Sequence, residues 1–163
     1  MATVRTAEIL AVGTELLTPY RLDTNSLYLT GQLNDLGIDV RSKSVVGDDA
    51  AELAGRFREA LARVDLVITT GGLGPTADDM TREVVAGVLG LPLVEDAALL
   101  DTIRRRFERR GLRMPDGNRR QAAVPAGARA LPNANGTAPG LWLTTGDRVV
   151  VLLPGPPREM QPM

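Results

Sequence analysis

The chain has 163 residues and a formal net charge of −1, which suits a single domain and gives no electrostatic case for binding nucleic acid, since that needs a concentrated basic surface. It contains no cysteine and no histidine, which excludes a thiol nucleophile, a Ser-His pair, a histidine base and the usual zinc ligand sets. No stretch approaches the ~20 apolar residues needed to cross a bilayer, and no basic-then-apolar leader opens the chain, so the expected location is cytoplasmic, with no membrane partner.

Residues 6 to 12 read as a buried strand that stops at Gly13. Asp23 or Thr24 can cap a helix carrying Leu27, Leu29, Leu33 and Leu36, which stops at Gly37. Residues 38 to 46 alternate as a second strand. Asp49 and Glu52 have capping-box spacing, and Leu53, Phe57 and Leu61 follow on one helical face. Residues 64 to 70 form a further buried strand ending at Gly71. Strand and helix thus alternate through the first half, which predicts a largely parallel sheet covered on both faces.

Beyond the Gly-rich stretch, Val84, Val85, Val88 and Leu89 predict a helix ending near Gly90, and Leu99, Ile103 and Phe107 another ending at Gly111. A run of arginines (Arg104, Arg105, Arg106, Arg109, Arg110, Arg113, Arg119 and Arg120) lies mostly off that apolar face. It is either a solvated face or a rim that steers phosphate. Gly and Pro punctuate the last third. There, residues 141 to 144 and 149 to 153 read as strands joined by Thr145-Gly146-Asp147, a tight turn that makes them antiparallel and the sheet mixed. The final residues, from Pro154, read as a helix just starting, as in a piece of a longer protein.

The strongest chemical signal is the strand end followed by Gly71, Gly72, Leu73, Gly74, Pro75 and Thr76, then Asp78, Asp79 and Thr81, and then a helix. Glycines let backbone approach an anion, and a helix N-terminus offers free N–H groups and a favourable dipole. The loop lacks the lysine of a Walker P-loop and the spacing of a dinucleotide fingerprint. Two carboxylates beside a phosphate pocket repel the ligand unless a cation bridges them, so Asp78 and Asp79 point to a divalent, oxygen-ligated metal such as Mg²⁺ or Mn²⁺. The alternative is that they only stabilise the helix N-terminus.

A second cluster at a strand end runs from Gly13-Thr14-Glu15 to Asp23-Thr24-Asn25-Ser26. Ligands of open α/β sheets bind beyond the carboxyl ends of strands, so this loop can face the Gly-rich one. Asp23 or Thr24 is a helix cap or a ligand contact, whereas Glu15 has no local structural task. The turns at Asn133-Ala-Asn135-Gly136-Thr137-Ala138-Pro139-Gly140 and at Pro154-Gly155-Pro156-Pro157 with Glu159 are, taken alone, ordinary loop sequences.

Taken in order, Gly-Thr-Glu-Leu-Leu, Asp-Thr-Asn-Ser, Gly-Gly-Leu-Gly-Pro-Thr-Ala-Asp-Asp-Met-Thr, Asn-Gly-Thr-Ala-Pro-Gly and Leu-Pro-Gly-Pro-Pro-Arg-Glu-Met resemble the N-terminal domain of the competence/damage-inducible CinA family, within the molybdopterin-binding superfamily. The resemblance covers essentially residues 1 to 163. It implies a three-layer α/β/α sandwich with a mostly parallel mixed sheet, self-association into a homo-oligomer, and hydrolysis of the ADP-ribose pyrophosphate to AMP and ribose 5-phosphate. It implies no nicotinamide-mononucleotide deamidase activity, because the chain ends before any such domain. By resemblance, Asp79 holds the metal with Thr81 beside it and Asp78 as the extra acid, and Gly71, Gly72 and Gly74 cradle phosphate; in the mechanism this suggests, Thr76 or Thr81 helps to position the phosphoryl oxygens. Glu15, Asn25, Asn133, Pro154 and Gly155 line the same pocket. Glu15 is the candidate for orienting or deprotonating water. A pterin-binding or adenylyl-transfer protein and a non-catalytic nucleotide-sensing or assembly domain are the alternatives. The sequence departs from the family pattern at Pro19, where Gly is usual, and Pro fixes φ and removes a donor.

Overall fold

The computed structural model describes residues 3–163. Apolar runs bounded by glycine become β1 (Thr6–Val12), β3 (Leu66–Thr70) and β8 (Arg148–Leu153), and the alternating segment becomes β2 (Asp39–Val46). Helices α1 (Thr24–Asp35), α2 (Ala50–Arg63), α3 (Thr81–Leu89), α4 (Ala97–Glu108) and α5 (Pro157–Met160) intervene or follow. The expected hairpin forms between β7 (Gly140–Thr145) and β8. Three short strands, β4 (Leu93–Glu95), β5 (Ala123–Pro125) and β6 (Arg129–Leu131), complete the set.

Six strands make one sheet in the order β2-β1-β3-β8-β7-β6, and β4 pairs with β5 apart from it. The pairings β1 with β2, β1 with β3 and β3 with β8 are parallel, while β7 with β8 and β6 with β7 are antiparallel. On one face, Leu53, Phe57 and Ala60 of α2 and Val85 of α3 pack with Leu10, Val67, Val150 and Leu152. On the other, Leu29 and Leu33 of α1 and Met160 of α5 pack with Ile9, Ile68 and Val151. The sheet is therefore mixed, mostly parallel and flanked by helices on both faces. Among the described residues, no helix is long and apolar enough to cross a membrane.

Two local readings change. Only Leu29 and Leu33 of the four leucines around α1 are buried, while Leu27 and Leu36 are 68% and 74% exposed. Leu27 lies two residues, about 200° of helical rotation, from Leu29, and Leu36 falls beyond the helix end. The strand read from residue 64 begins at Leu66, because α2 continues to Arg63 and Val64 caps it.

Asp65, between α2 and β3, has another task. Its Oδ2 accepts from the Arg5 N–H (3.0 Å), the Thr6 N–H (2.9 Å) and the Thr6 hydroxyl (2.9 Å), and Arg148 lies 3.4 Å from Oδ1. One carboxylate thus ties the amino-terminal ends of β1, β3 and β8 together. A buried acid, Glu8 in β1, is 3% exposed and is held by both Arg63 Nε and Nη2 at 2.9 Å.

The backbone N–H of Arg5 and the hydroxyl and N–H of Thr6 hold the Asp65 carboxyl below its ordinary pKa, with Arg148 adding to the effect. The folded chain therefore binds fewer protons than the unfolded chain, so this stabilisation is present at neutral pH and lost as pH falls through the lowered folded value. Asp65→Asn is expected to cost about 1–3 kcal/mol at neutral pH. Urea unfolding should show the gap to wild type shrinking below about pH 4; a gap that stays constant with pH would rule out the carboxylate as its source.

Candidate functional site

β1 lies between β2 and β3; the crossover from β1 to β2 runs over one face through α1, and that from β2 to β3 over the other through α2. This is the topological switch where open α/β sheets bind ligands beyond their carboxyl ends. The loops after β1, β3 and β8 emerge side by side there, and Gly71 N–H donates to Leu153 O at 2.9 Å. They surround a cavity of about 790 Å³. Glu15, Asn25, Gly71, Gly72, Gly74, Thr76, Asp78, Asp79, Pro154 and Gly155 all line it. Thr81 and Asn133 do not.

Thr81 is fully buried at the start of α3. Its hydroxyl donates to Gly71 O (2.9 Å) and its N–H to Gly72 O (3.1 Å), so it fastens the loop from beneath. Asn133 organises its own turn. Its Nδ2 donates to Ala138 O and Glu159 Oε2, both at 2.8 Å, and its Oδ1 accepts from Asn135 N–H and Gly136 N–H. Asn25 Nδ2 donates to Gly155 O (2.7 Å), joining the loop after β8 to α1. The cap of α1 is Asp23, which accepts from Ser26 N–H at 2.9 Å.

The glycines are required for a reason beyond ligand access. Gly71 and Gly72 have φ of 99° and 68°, a region that side chains with a Cβ rarely adopt. A Cβ on Gly71 would stand 2.1 Å from Val12 O, and one on Gly72 2.1 Å from Thr81 Oγ1. A Cβ on Gly74 would meet the Asp79 carboxylate at 2.5 Å. The chain's own atoms fill all three spaces.

Asp79 closes the loop on itself. Its Oδ2 accepts from Thr76 N–H (2.9 Å) and the Thr76 hydroxyl, while Asp79 N–H returns a bond to Thr76 O at 3.2 Å. Neither Asp79 Oδ1 nor the Asp78 carboxylate accepts a protein hydrogen bond among the described residues. No group of three acidic side chains there could form a ready-made metal cage. A Mg²⁺-type ion is often held by one or two carboxylates together with ligand phosphate and water. Asp78 and the free oxygen of Asp79 suit that arrangement.

The arginine run divides. Arg105 pairs with Asp101 (2.8 Å) and Arg119 with Glu95 (2.6 Å), both on the exposed surface. Arg106 near the end of α4 and Arg110 in the turn beyond it line the cavity, as does Arg158. None of these three has a carboxylate partner among the described residues. No helical spacing could have singled out Arg106 and Arg110, because Arg110 lies past the end of α4.

Arg120 instead reaches behind the loop, where its Nη2 donates to Asp79 O (3.0 Å) and Glu83 Oε1 (2.9 Å) and its Nη1 to Thr76 O. Arg82, 1% exposed, shares Glu83 Oε1 at 3.2 Å. Burial lowers the Arg82 pKa. Burial alone would raise Glu83, yet Arg82 and Arg120 hold it below the ordinary glutamate value. Two guanidiniums sharing one carboxylate leave positive charge behind the loop. Asp48 also lines the cavity, and it exchanges hydrogen bonds of 3.0 Å with Thr14. Neither Asp48 nor Arg120 carries a local pattern that marks it. Pro19 sits in an exposed turn, away from the cavity lining.

Fold and site together define an open α/β domain with a polar cavity at the carboxyl edge of its parallel strands. The chain belongs to the family described as "Probable molybdopterin binding domain", which it matches over residues 8–163. It is 57% identical over 158 residues to a Symbiobacterium thermophilum protein that carries the competence-damage inducible name, covering 96% of this chain and 37% of that one. The chain thus spans under two-fifths of that relative's length. The crystal structure of protein CinA from Thermoplasma acidophilum superposes with a TM-score of 0.90 at 37% identity, over 97% of this chain and 93% of that one. A molybdopterin biosynthesis protein from Mycobacterium abscessus shares the fold at a TM-score of 0.62 and 22% identity, over 98% of this chain and 86% of that one.

The latch beneath the loop can be tested directly. Gly72→Ala should lower stability by at least about 1 kcal/mol, because it combines a positive φ with a clash. Thr81→Val should cost about 1–3 kcal/mol by leaving the buried Gly71 carbonyl unpaired. Chemical denaturation of both variants reads these losses, and wild-type stability in Gly72→Ala would mean the loop is not packed as described.

Proposed function

We propose that the cavity binds a phosphate-bearing nucleotide and that the chain hydrolyses the pyrophosphate of ADP-ribose to AMP and ribose 5-phosphate. The observation that carries this reading is the Gly71–Thr76 loop, with Asp78 and Asp79 beside it, opening onto a cavity lined by Arg106, Arg110 and Arg158, which have no carboxylate partner among the described residues. In that reaction water adds to one phosphorus, and the bond from that phosphorus to the bridging oxygen breaks. The loop amides and the arginines hold the charged oxygens. Thr76 keeps the Asp79 carboxylate oriented. Glu15, exposed at the cavity edge, orients or deprotonates the water. A divalent ion at Asp78 and Asp79 would neutralise charge on the phosphoryl oxygens when bound.

A second reading, binding of a molybdopterin or adenylyl transfer to it, uses the same cavity. It is favoured by the family's description and by the shared fold of a molybdopterin biosynthesis protein. Self-association belongs to the proposal as well. It is supported by Leu17, Tyr20, Leu22 and Leu27, large apolar side chains 60% to 91% exposed in the segment that follows β1.

Incubation with ADP-ribose and a series of divalent metals, with AMP followed by chromatography, tests the leading reading. Asp78→Asn, which disturbs no hydrogen bond of the loop, should lower kcat on the order of a hundredfold. If no metal supports AMP release, the hydrolase reading fails; binding of molybdopterin in preference to ADP-ribose would then support the second.

A further inference from the structure

β7 runs antiparallel to β8, so the turn that precedes β7 leaves the sheet at the same edge as the loops that follow β1, β3 and β8. Register fixes their order, since Leu152 of β8 is paired with Thr69 of β3 on one side and with Leu141 of β7 on the other. Along this edge the charged groups of the cavity are sorted. Glu15 follows β1, and Asp78 and Asp79 follow β3, whereas Arg158 follows β8. Beyond it, Asn135, Gly136 and Thr137 line the cavity from the turn before β7.

Two arginines are tied to that turn. Arg106 Nη1 donates to Ala134 O (2.9 Å), and the neighbouring Asn135 donates from Nδ2 to Arg158 O (2.7 Å). One turn thus joins α4 to α5. The turn is itself fixed: Asn133 Oδ1 accepts from the N–H groups of Asn135 and Gly136, and Asn133 Nδ2 holds Glu159 Oε2 at 2.8 Å. A Cβ on Gly136 would overlap the Glu159 carboxylate, so turn and α5 are in close contact.

Glu159, the acid at this end, is therefore engaged by Asn133. Neither Arg106 nor Arg158 has a carboxylate partner among the described residues, and the buried Arg106 Nε has no acceptor there. Two guanidiniums that the chain does not neutralise, lining one cavity, suit an anion. A planar guanidinium takes the oxygens of a phosphate in pairs.

We propose that Arg106 and Arg158, joined by the turn before β7, form a second anion subsite, which takes a phosphomonoester of the ligand in addition to the pyrophosphate at the glycine loop. The turn lies two strands along from the end of β3, a separation on the order of 10 Å. A phosphate carried on either ribose of ADP-ribose covers that span more readily than the pyrophosphate, whose two phosphorus atoms share one oxygen. The inference rests on the phosphate reading above and refines it: of the three arginines, Arg106 and Arg158 meet a phosphate beyond the scissile pair. The substrate class is then a phosphorylated ADP-ribose.

Calorimetric titration of the full chain with ADP-ribose, its 2′-phosphate and its 1″-phosphate, with and without a divalent metal, tests the proposal. One of the two phosphorylated ligands should bind tighter than ADP-ribose on the order of tenfold or more, the scale of a charge-assisted hydrogen bond; which one does so tells which ribose carries the group. Arg106→Met and Arg158→Met should each remove most of that preference. Arg158→Met should stay folded, because the side chain is exposed and the bond to Asn135 comes from the backbone carbonyl. Arg105→Met, whose guanidinium pairs with Asp101 on the exposed surface, should keep the preference.

Equal binding of all three ligands, or variants that weaken all three by the same factor, overturns the second subsite. Failure of every one of the three to bind the wild-type chain in either condition overturns the phosphate reading itself.

Discussion

Parallel pairing of β3 with β1 on one side and with β8 on the other is the constraint from which the site follows. Ile68 is in register with Ile9 and with Val151, so three loops separated by dozens of residues leave the sheet at one level. Asp65 ties the opposite ends of the same three strands. Core packing on both faces of these strands then excludes any slip, since a one-residue shift would turn every side chain to the wrong layer. The cavity is thus a product of strand register before it is a product of any functional side chain.

Electrostatics at the site is divided between front and back. Glu15, Asp78 and Asp79 face the cavity together with Arg106, Arg110 and Arg158, while Arg82 and Arg120 stand behind the loop with Glu83 between them. The countercharge that two adjacent acids demand is therefore supplied in part by arginine from the chain itself. A buried guanidinium such as Arg82 is costly to desolvate, and its lowered pKa reflects that. It follows Thr81, which latches the loop, and shares the Glu83 carboxylate with Arg120.

The glycines show how a correct motif can rest on incomplete physics. Their spacing suggested room for a ligand, yet the missing Cβ positions of Gly71, Gly72 and Gly74 are filled by Val12 O, Thr81 Oγ1 and the Asp79 carboxylate. They allow the loop to pack closely against β1, α3 and its own Asp79. Thr81 and Asn133, singled out as ligand contacts by resemblance, are placed as fasteners of the two loops that frame the cavity.

The main elements and the loop motifs were legible because each depends on local chemistry. Apolar runs stopped by glycine marked β1 and β3, Asp23 and Asp49 capped their helices, and a glycine turn joined β7 to β8. The strands β4, β5 and β6, three residues each, carried no such signal, since their stability comes from partners distant in the chain. The same holds for Arg120, which belonged to a run of arginines whose fates diverge once α4 and the segment Asp116–Ala122 are packed, some to solvent, some to the cavity and one to the loop carbonyls of Thr76 and Asp79. The sequence by itself determined the layers of the fold, the family and the Gly-rich loop with its acids, because periodicity, caps and turns act over a few residues. Only the tertiary structure decided which arginines line the cavity and which side chains hold the loop, because those contacts join segments whose proximity exists only after the sheet has formed.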